Sequence, residues 1–355
     1  MDEQLNRFDA WLQERGPAAL VIREYLVPVE GPDGVLFPPT FAAGDGFPGG
    51  YNIDTFPDGS SVCLIDTVGS QANRIEPLFA QENYGGLVPQ IVIKAGEKRV
   101  NLLEAGHRAG DAIVRCTELQ GALRAAFQAA DKGNAEPLAK LAPTSIVFGA
   151  WDSRDTQAKL PRLMASTIRA WNVRKLTRSA QYVPATDYVG GGLLPEPPDR
   201  STKDAYAERG FIHVPASGSH GGILADGGIR RDASLHLACL RLLRGGDAPA
   251  LRRYILGLAL TAFTAPAGGY LRQGCHLVAD PEKARVFQEV YADGRRVDAS
   301  VTHDEALAYA RAAAQAFGIG PDREVEFDKD RALQDVTDGD GEGGRKGKKA
   351  PKSKS

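Results

Sequence analysis

Short β-branched runs and amphipathic helical stripes interleave along this chain without a repeating period, and that irregular order is the strongest constraint on its fold. It selects an α+β fold over a regular α/β barrel, a solenoid or a coiled coil. Leu5, Phe8, Trp11 and Leu12 recur at helical spacing until Gly16-Pro17 stops them, and Ala18 to Val27 then reads as a strand. The Gly- and Pro-rich stretch from Gly31 to Tyr51 predicts irregular chain. Ser60 to Ile65 and Val88 to Lys94 read as strands of one sheet, and Thr144 to Phe148 as a further buried strand. Thr117 with Gln120 has the spacing of a capping box ahead of the stripe Leu119, Leu123, Ala126, Phe127, Ala130. Thr156 to Trp171, Ser234 to Leu243 and Ala250 to Phe263 read as helices, and Thr302 with Glu305 opens another through Phe317. A strand-turn-strand around Ala292-Asp293-Gly294 precedes it.

At 355 residues the chain is long enough to bury a large core, and 43% hydrophobic with 25% charged residues is ordinary globular usage. The balance of 43 basic against 45 acidic side chains creates no global positive field, so any anion-binding surface must be local. The longest apolar stretch, Tyr254 to Phe263, is about half of what a bilayer crossing needs. The acidic start, Met1-Asp2-Glu3, lacks the features of a secretory signal, so a cytoplasmic location with no membrane partner is expected. Cys63, Cys116, Cys239 and Cys275 are far apart and show no CxxC spacing, which argues for buried thiols rather than disulfides or a zinc site.

Local charge divides the chain. Residues 1–57 carry nine acids against three arginines and form an acidic N-terminal helix, strand and irregular segment. Between Ser145 and Tyr182 stand seven basic residues and two acids, with Trp151, Trp171 and Tyr182 among them. Cations interleaved with flat rings suit single-stranded nucleic acid; a solvated helix face over buried tryptophans explains the same composition. Val183 to Pro215 reads as an inserted hairpin around Gly190 to Pro198, with apolar Leu193 and Leu194 at its tip. Residues 328–355 read as a disordered basic tail ending in Arg345, Lys346, Lys348, Lys349, Lys352 and Lys354.

Three stretches have the chemistry of sites. In Asp66-Thr67-Val68-Gly69-Ser70-Gln71-Ala72-Asn73-Arg74 a strand end passes into a polar turn, which serves equally as a phosphate cradle or a capped helix start. Asp66 is also the one carboxylate placed for acid/base work. Gly106-His107-Arg108-Ala109-Gly110-Asp111 lacks the spacing of a dinucleotide or P-loop motif. Gly218-Ser219-His220-Gly221-Gly222 places a serine beside a histidine without the GxSxG elbow and reads as a glycine-rich loop.

Together with Phe148-Gly149-Ala150-Trp151-Asp152-Ser153-Arg154 and Val173 to Tyr182, the Leu64 to Arg74 and Gly106 to Asp111 runs resemble a known family. It is the RAMP-type crRNA-binding backbone subunit of type I CRISPR Cascade, in the G subtype formerly called U. The likeness covers roughly Tyr51 to Leu277 and implies an RRM-like (ferredoxin-like) palm with inserted finger and thumb elements. On that reading residues 58–182 are palm and RNA-facing stripe, 183–215 the thumb and 216–327 the rest of the palm. The resemblance implies a non-enzymatic protein without cofactor or metal, whose copies line up head to tail on guide RNA in antiviral defence. Its partners would be the crRNA, further copies of itself through the acidic N-terminal region, other Cascade subunits, and target DNA through the guide. Phosphate contacts are expected from Arg74, Arg108, Arg154, Lys159, Arg162, Arg174, Lys175 and Arg178, with Ser70, Gln71 and Asn73 as neutral donors. The rival within the family is a metal-dependent ribonuclease using Asp66; a hydrolase at Ser219-His220 is the rival outside it.

Overall fold

The computed structural model describes residues 2–266 and 268–343. Its centre is a nine-stranded sheet whose four inner strands are β1 (Ala19–Pro28), β2 (Ser61–Asp66), β3 (Met164–Trp171) and, after the hairpin described below, β6 (Ile229–Leu235). Across the sheet the order is β1, β6, β3, β2, every neighbouring pair antiparallel. β1 also carries β7 (Cys275–Ala279) along its C-terminal part and β8 (Val286–Val290) along its N-terminal part on its free side. The segments 1–57, 58–182 and 216–327 therefore all supply strands to one sheet.

Helices cover one face. The spacing of apolar residues in Ala250 to Phe263 produces the helix expected there, Ala248–Thr264, capped by Asp247 and buried along nearly its whole length. Numbering helices in chain order, α1 is Val68–Ile75, α2 is Gln120–Asp131, α3 is Arg200–Glu208, α4 is Ala248–Thr264, α5 is His303–Phe317 and α6 is Lys329–Gly343. α5 begins at the expected capping box, Thr302 with Glu305. It lies close on α4 because Gly257 has no side chain: a Cβ there would stand 2.7 Å from the Ala310 Cα. Leu20 and Ile22 of β1, Ala233 and Leu235 of β6 and Met164 of β3 pack against these helices in the larger core. A second cluster farther along the same face, with Leu26, Cys63, Ile168 and Ile229, lies under Leu36, Tyr51 and β7.

Several local readings are overturned by this packing. Thr144–Phe148 is a helical turn, all five residues buried, because an apolar run of that length suits a buried helix as well as a strand. Thr156 to Trp171 is not a helix; β3 takes its second half, where Ser166, Thr167 and Ile168 favour extended chain once flanked by β2 and β6. Ser234 and Leu235 end β6, leaving only Leu237–Leu240 helical in the next stretch. Ile91–Ala95 lies not beside β2 but in a separate three-stranded sheet with Lys98–Asn101 and Arg323–Glu326. Thr117 does not cap α2; its hydroxyl donates to the Val114 carbonyl and accepts from Leu119 N–H. Residues 329–343, read as part of a disordered tail, form α6, held by Arg115 to Asp335 and by Arg331 to the Thr117 carbonyl. The lysines and arginine from 345 onward lie outside the described residues.

The inserted hairpin is longer than its sequence signal. β4 (Val173–Tyr182) pairs antiparallel with β5 (Val214–Ala225), so the arms run from 173 to 225 as continuations of β3 and β6. Gly218 to Gly222 thus belongs to a strand rather than to a loop. Between the arms the tip is ordered by its own rings: Tyr188 and Tyr206 both pack edge-on against Phe211, at 5.3 and 6.0 Å. Backbone N–H groups of Leu193 and Leu194 donate to the Tyr188 carbonyl, and Leu193 stays 64% exposed. Cys63, Cys116 and Cys275 are buried, Cys239 only partly, and all four are free thiols. No helix of the described residues is long and apolar enough to cross a membrane.

Candidate nucleic-acid interface

The turn after β2 is a capped helix start. Thr67 is extended and its hydroxyl accepts from Ser70 N–H at 3.0 Å, which fixes the direction in which α1 leaves the sheet. At the strand end Asp66 is buried, and its two oxygens accept from three donors: Gln71 Nε2 at 2.7 Å, Arg74 Nε at 3.2 Å and Arg272 Nη2 at 3.3 Å. Gln71 is locked from its other end by Ser166 Oγ at 2.9 Å. In the same cross-strand row and on the same face, beyond Ile168, Glu24 receives Arg231 Nε at 2.7 Å. Arg285, exposed at the surface, has its pKa lowered by partial desolvation and feels the charges of both Glu24 and Arg231.

Two of these arginines, Arg74 and Arg231, line a cleft of about 520 Å³ between α1 and the chain around Tyr270, together with Gln71 and Asn73. Asp66 anchors Arg74, and Glu24 anchors Arg231, at its edge. With Asp66 holding Arg74 through Nε, the terminal nitrogens of Arg74 are left over, donors that suit a phosphate oxygen, whereas Arg272 spends its terminal nitrogens on the Ile65 carbonyl and Asp66. Arg231 and Arg272 were not among the expected contacts. Two arginines stand side by side in Ile229-Arg230-Arg231-Asp232, and only the place of that run in β6 shows that Arg231 turns toward the cleft.

Not every expected contact reaches this surface. Arg74 and Asn73 are exposed and Ser70 half-buried, whereas Gln71 is buried and spent on Asp66 and Ser166. Arg108 must be removed from the surface candidates: it is 4% exposed, with Nε 2.6 Å from Glu76 Oε2 and its other nitrogens 3.3 Å from the Gly149 carbonyl and Asn73 Oδ1. Burial pushes the Glu76 carboxyl up to about 7 even with this guanidinium beside it.

The basic run 145–182 is divided by the fold instead of forming one stripe. Asp152, buried, accepts from Thr156 N–H and Oγ at 2.9 and 2.6 Å and folds residues 152–158 into a compact loop. That loop and its flanks expose Arg154, Lys159, Arg162 and Trp151, with Lys159 Nζ 5.6 Å from the Trp151 ring. Arg174, Lys175 and Arg178 stand exposed on the hairpin arm β4. Arg174 forms a two-point ion pair with Asp226, and the Arg178 guanidinium lies 5.9 Å from the Phe37 ring. Arg169 lies on β3 between these groups. The His220 ring packs against Tyr51 at 4.8 Å, so it is a packing residue of β5; the Ser219 side chain lies outside the described residues.

The fold and site define a class: an α+β protein with an antiparallel sheet, an arginine-lined cleft and separate exposed basic patches. Residues 20–175 match the model of a family described as CRISPR-associated protein GSU0053, a stretch that holds β1, β2, α1 and the 148–154 loop start. This match supports a CRISPR-associated protein. No curated protein matches the chain. Among solved structures, one described as "CRISPR RNA-guided surveillance complex, pre-nicking" is similar at 11% identity and a TM-score of 0.34, over 90% of this chain and 98% of that one.

Proposed function

We propose that the protein is a non-catalytic guide-RNA-binding backbone subunit of a CRISPR effector, of the RAMP type in subtype G of type I. The observation that carries this reading is the use made of Asp66 in the matched stretch. A ribonuclease would need that carboxylate accessible, but it is buried and consumed in pairing with Arg272 and in holding Arg74 at a cleft suited to phosphate. Contacts of this kind carry no sequence information, as a guide with a variable spacer requires. The RRM-like palm is supported by strand order: β7 or β8, then β1, β6 and β3, all antiparallel, is the 4-1-3-2 arrangement of a ferredoxin-like unit, with α4 as its second crossover. The β4–β5 hairpin then fills the place of the thumb. Copies would line up along the RNA, with other Cascade subunits at the ends and target DNA paired to the guide. Self-association through the acidic N-terminal region is weakened as an idea, because Asp9 is already paired with Arg253 and Glu24 with Arg231.

Binding is expected to tolerate any sequence of single-stranded RNA and to weaken with salt, each neutralised phosphate adding roughly −0.7 to the slope of log K against log salt. Arg154→Ala combined with Arg162→Ala should reduce affinity and that slope and leave the melting temperature nearly unchanged, since both side chains are exposed. Titrations with unrelated RNAs at several salt concentrations check this; a flat salt response would defeat the reading. Deleting residues 190–198 removes the stretch between Tyr188 and α3. The expected product is a folded protein that adds fewer copies per RNA, read as mass against RNA length; unchanged stepwise addition would show the tip to be only a connection.

A further inference from the structure

The face of the central sheet opposite the helices carries no covering element among the described residues. β1 presents Val21, Arg23, Tyr25 and Val27 on it, β6 presents Arg230 and Asp232, and β3 presents Thr167, Arg169 and Trp171. None of these side chains belongs to either core cluster.

Where β3 hands over to β4, this face has a built hollow of about 360 Å³, lined by Tyr25, Trp171, Asn172, Arg230 and Lys283 with the backbone of Gly227–Gly228. Its shape depends on glycine. A Cβ on Gly227 would stand 2.8 Å from the Trp171 carbonyl oxygen, and Gly228 has φ of 83°. Each ring has its own cation: Arg230 Cζ lies 4.3 Å from the Trp171 centroid, and Lys283 Nζ 5.7 Å from that of Tyr25. Asp232 orients Arg230 through Nε at 2.9 Å, and Asp280 lies 3.2 Å from Lys283. Counting Arg23 and Arg169, four cations face two carboxylates. A protein-docking patch of this size would have apolar side chains at its centre. Rings paired with cations, in a hollow roomy enough for a nucleobase, match an unstacked base and its phosphates.

We propose that this hollow holds a base of single-stranded nucleic acid, stacked on the Trp171–Arg230 pair, with Lys283 and Arg169 at the flanking phosphates. It is a second contact, on the opposite side of the sheet from the arginine cleft, and does not rest on the guide-RNA reading.

The test uses the full chain with Trp11→Phe and Trp151→Phe, which leaves Trp171 as the one tryptophan. Adding oligo(U) or oligo(dT) should quench its fluorescence saturably; a preference between the two identifies the strand type, and either supports the proposal. Trp171→Leu should weaken oligonucleotide binding roughly tenfold, and Trp171→Tyr should retain most of it. Absence of quenching by both oligonucleotides, or unchanged affinity in a folded Trp171→Leu protein, overturns the proposal. Arg74→Ala in the single-tryptophan protein separates the two surfaces. If the cleft reading fails, this variant leaves affinity unchanged while the quench persists.

Discussion

Arg108→Ala is expected to destabilise the protein by about 3–5 kcal/mol, the usual loss when one member of a buried ion pair is removed. Glu76 is 1% exposed and would keep a carboxylate in the core with its main partner gone. Replacing both residues, Glu76→Leu with Arg108→Met, should recover most of the loss, because desolvation of the two charges is then avoided together. Chemical denaturation of the three proteins checks this; an Arg108→Ala midpoint equal to that of the parent would contradict it. The pH dependence has a definite sign. Glu76 titrates near 4.5 when unfolded and near 7 when folded, so the folded chain holds the extra proton between those values. The stability it contributes is complete below about pH 4.5 and disappears as pH rises through about 7. Glu76→Gln should therefore flatten the decline in stability between pH 5 and 7. The penalty of Arg108→Ala should be smaller at pH 5, where Glu76 takes up a proton, than at pH 8.

Asp66→Ala should cost about 2 kcal/mol, less than the loss of Arg108, and should remove most of the RNA affinity. The smaller stability term follows from exposure: Arg74 and Arg272 are 37% and 26% exposed at their side chains and can turn to water, so mainly charge-assisted hydrogen bonds are lost. The larger binding term follows from position, since Arg74 loses the carboxylate that holds it at the cleft. Asp66→Asn should fall between, because the amide can still accept from one arginine. Calorimetric melting and RNA titration on the same samples separate the two effects. If the parent protein instead cuts RNA in a metal-dependent way and Asp66→Ala abolishes only the cutting, the ribonuclease reading replaces the binding one.

Elements with strong local signals were legible from residues alone. β1, β2, α4, the capping box of α5 and the turn near Asp293 depend on periodicity and on side chains within three or four positions. The polar run at Ser70 to Arg74 was legible as a site or a cap, and it is a capped helix whose exposed residues line a cleft. Short apolar segments were ambiguous for the opposite reason. Thr144–Phe148 is fully buried, its polar Thr144 and Ser145 included, so no polar and apolar alternation marks its period, and Pro143 before it and Gly149 after it bound the turn.

What the sequence by itself determined was the α+β mixture, the long core helix, an inserted hairpin and a surplus of cations in residues 145–182. Tertiary structure alone decided where those cations go. It drew Arg108 inward to Glu76, 32 positions earlier, and joined Glu24 to Arg231 across 207 positions. It also joined Asp66 to Arg272, 206 positions away. The physical reason is range: helix and strand formation is settled by neighbours a few residues apart, whereas the burial and pairing of a charge depend on which distant strands the sheet brings beside it.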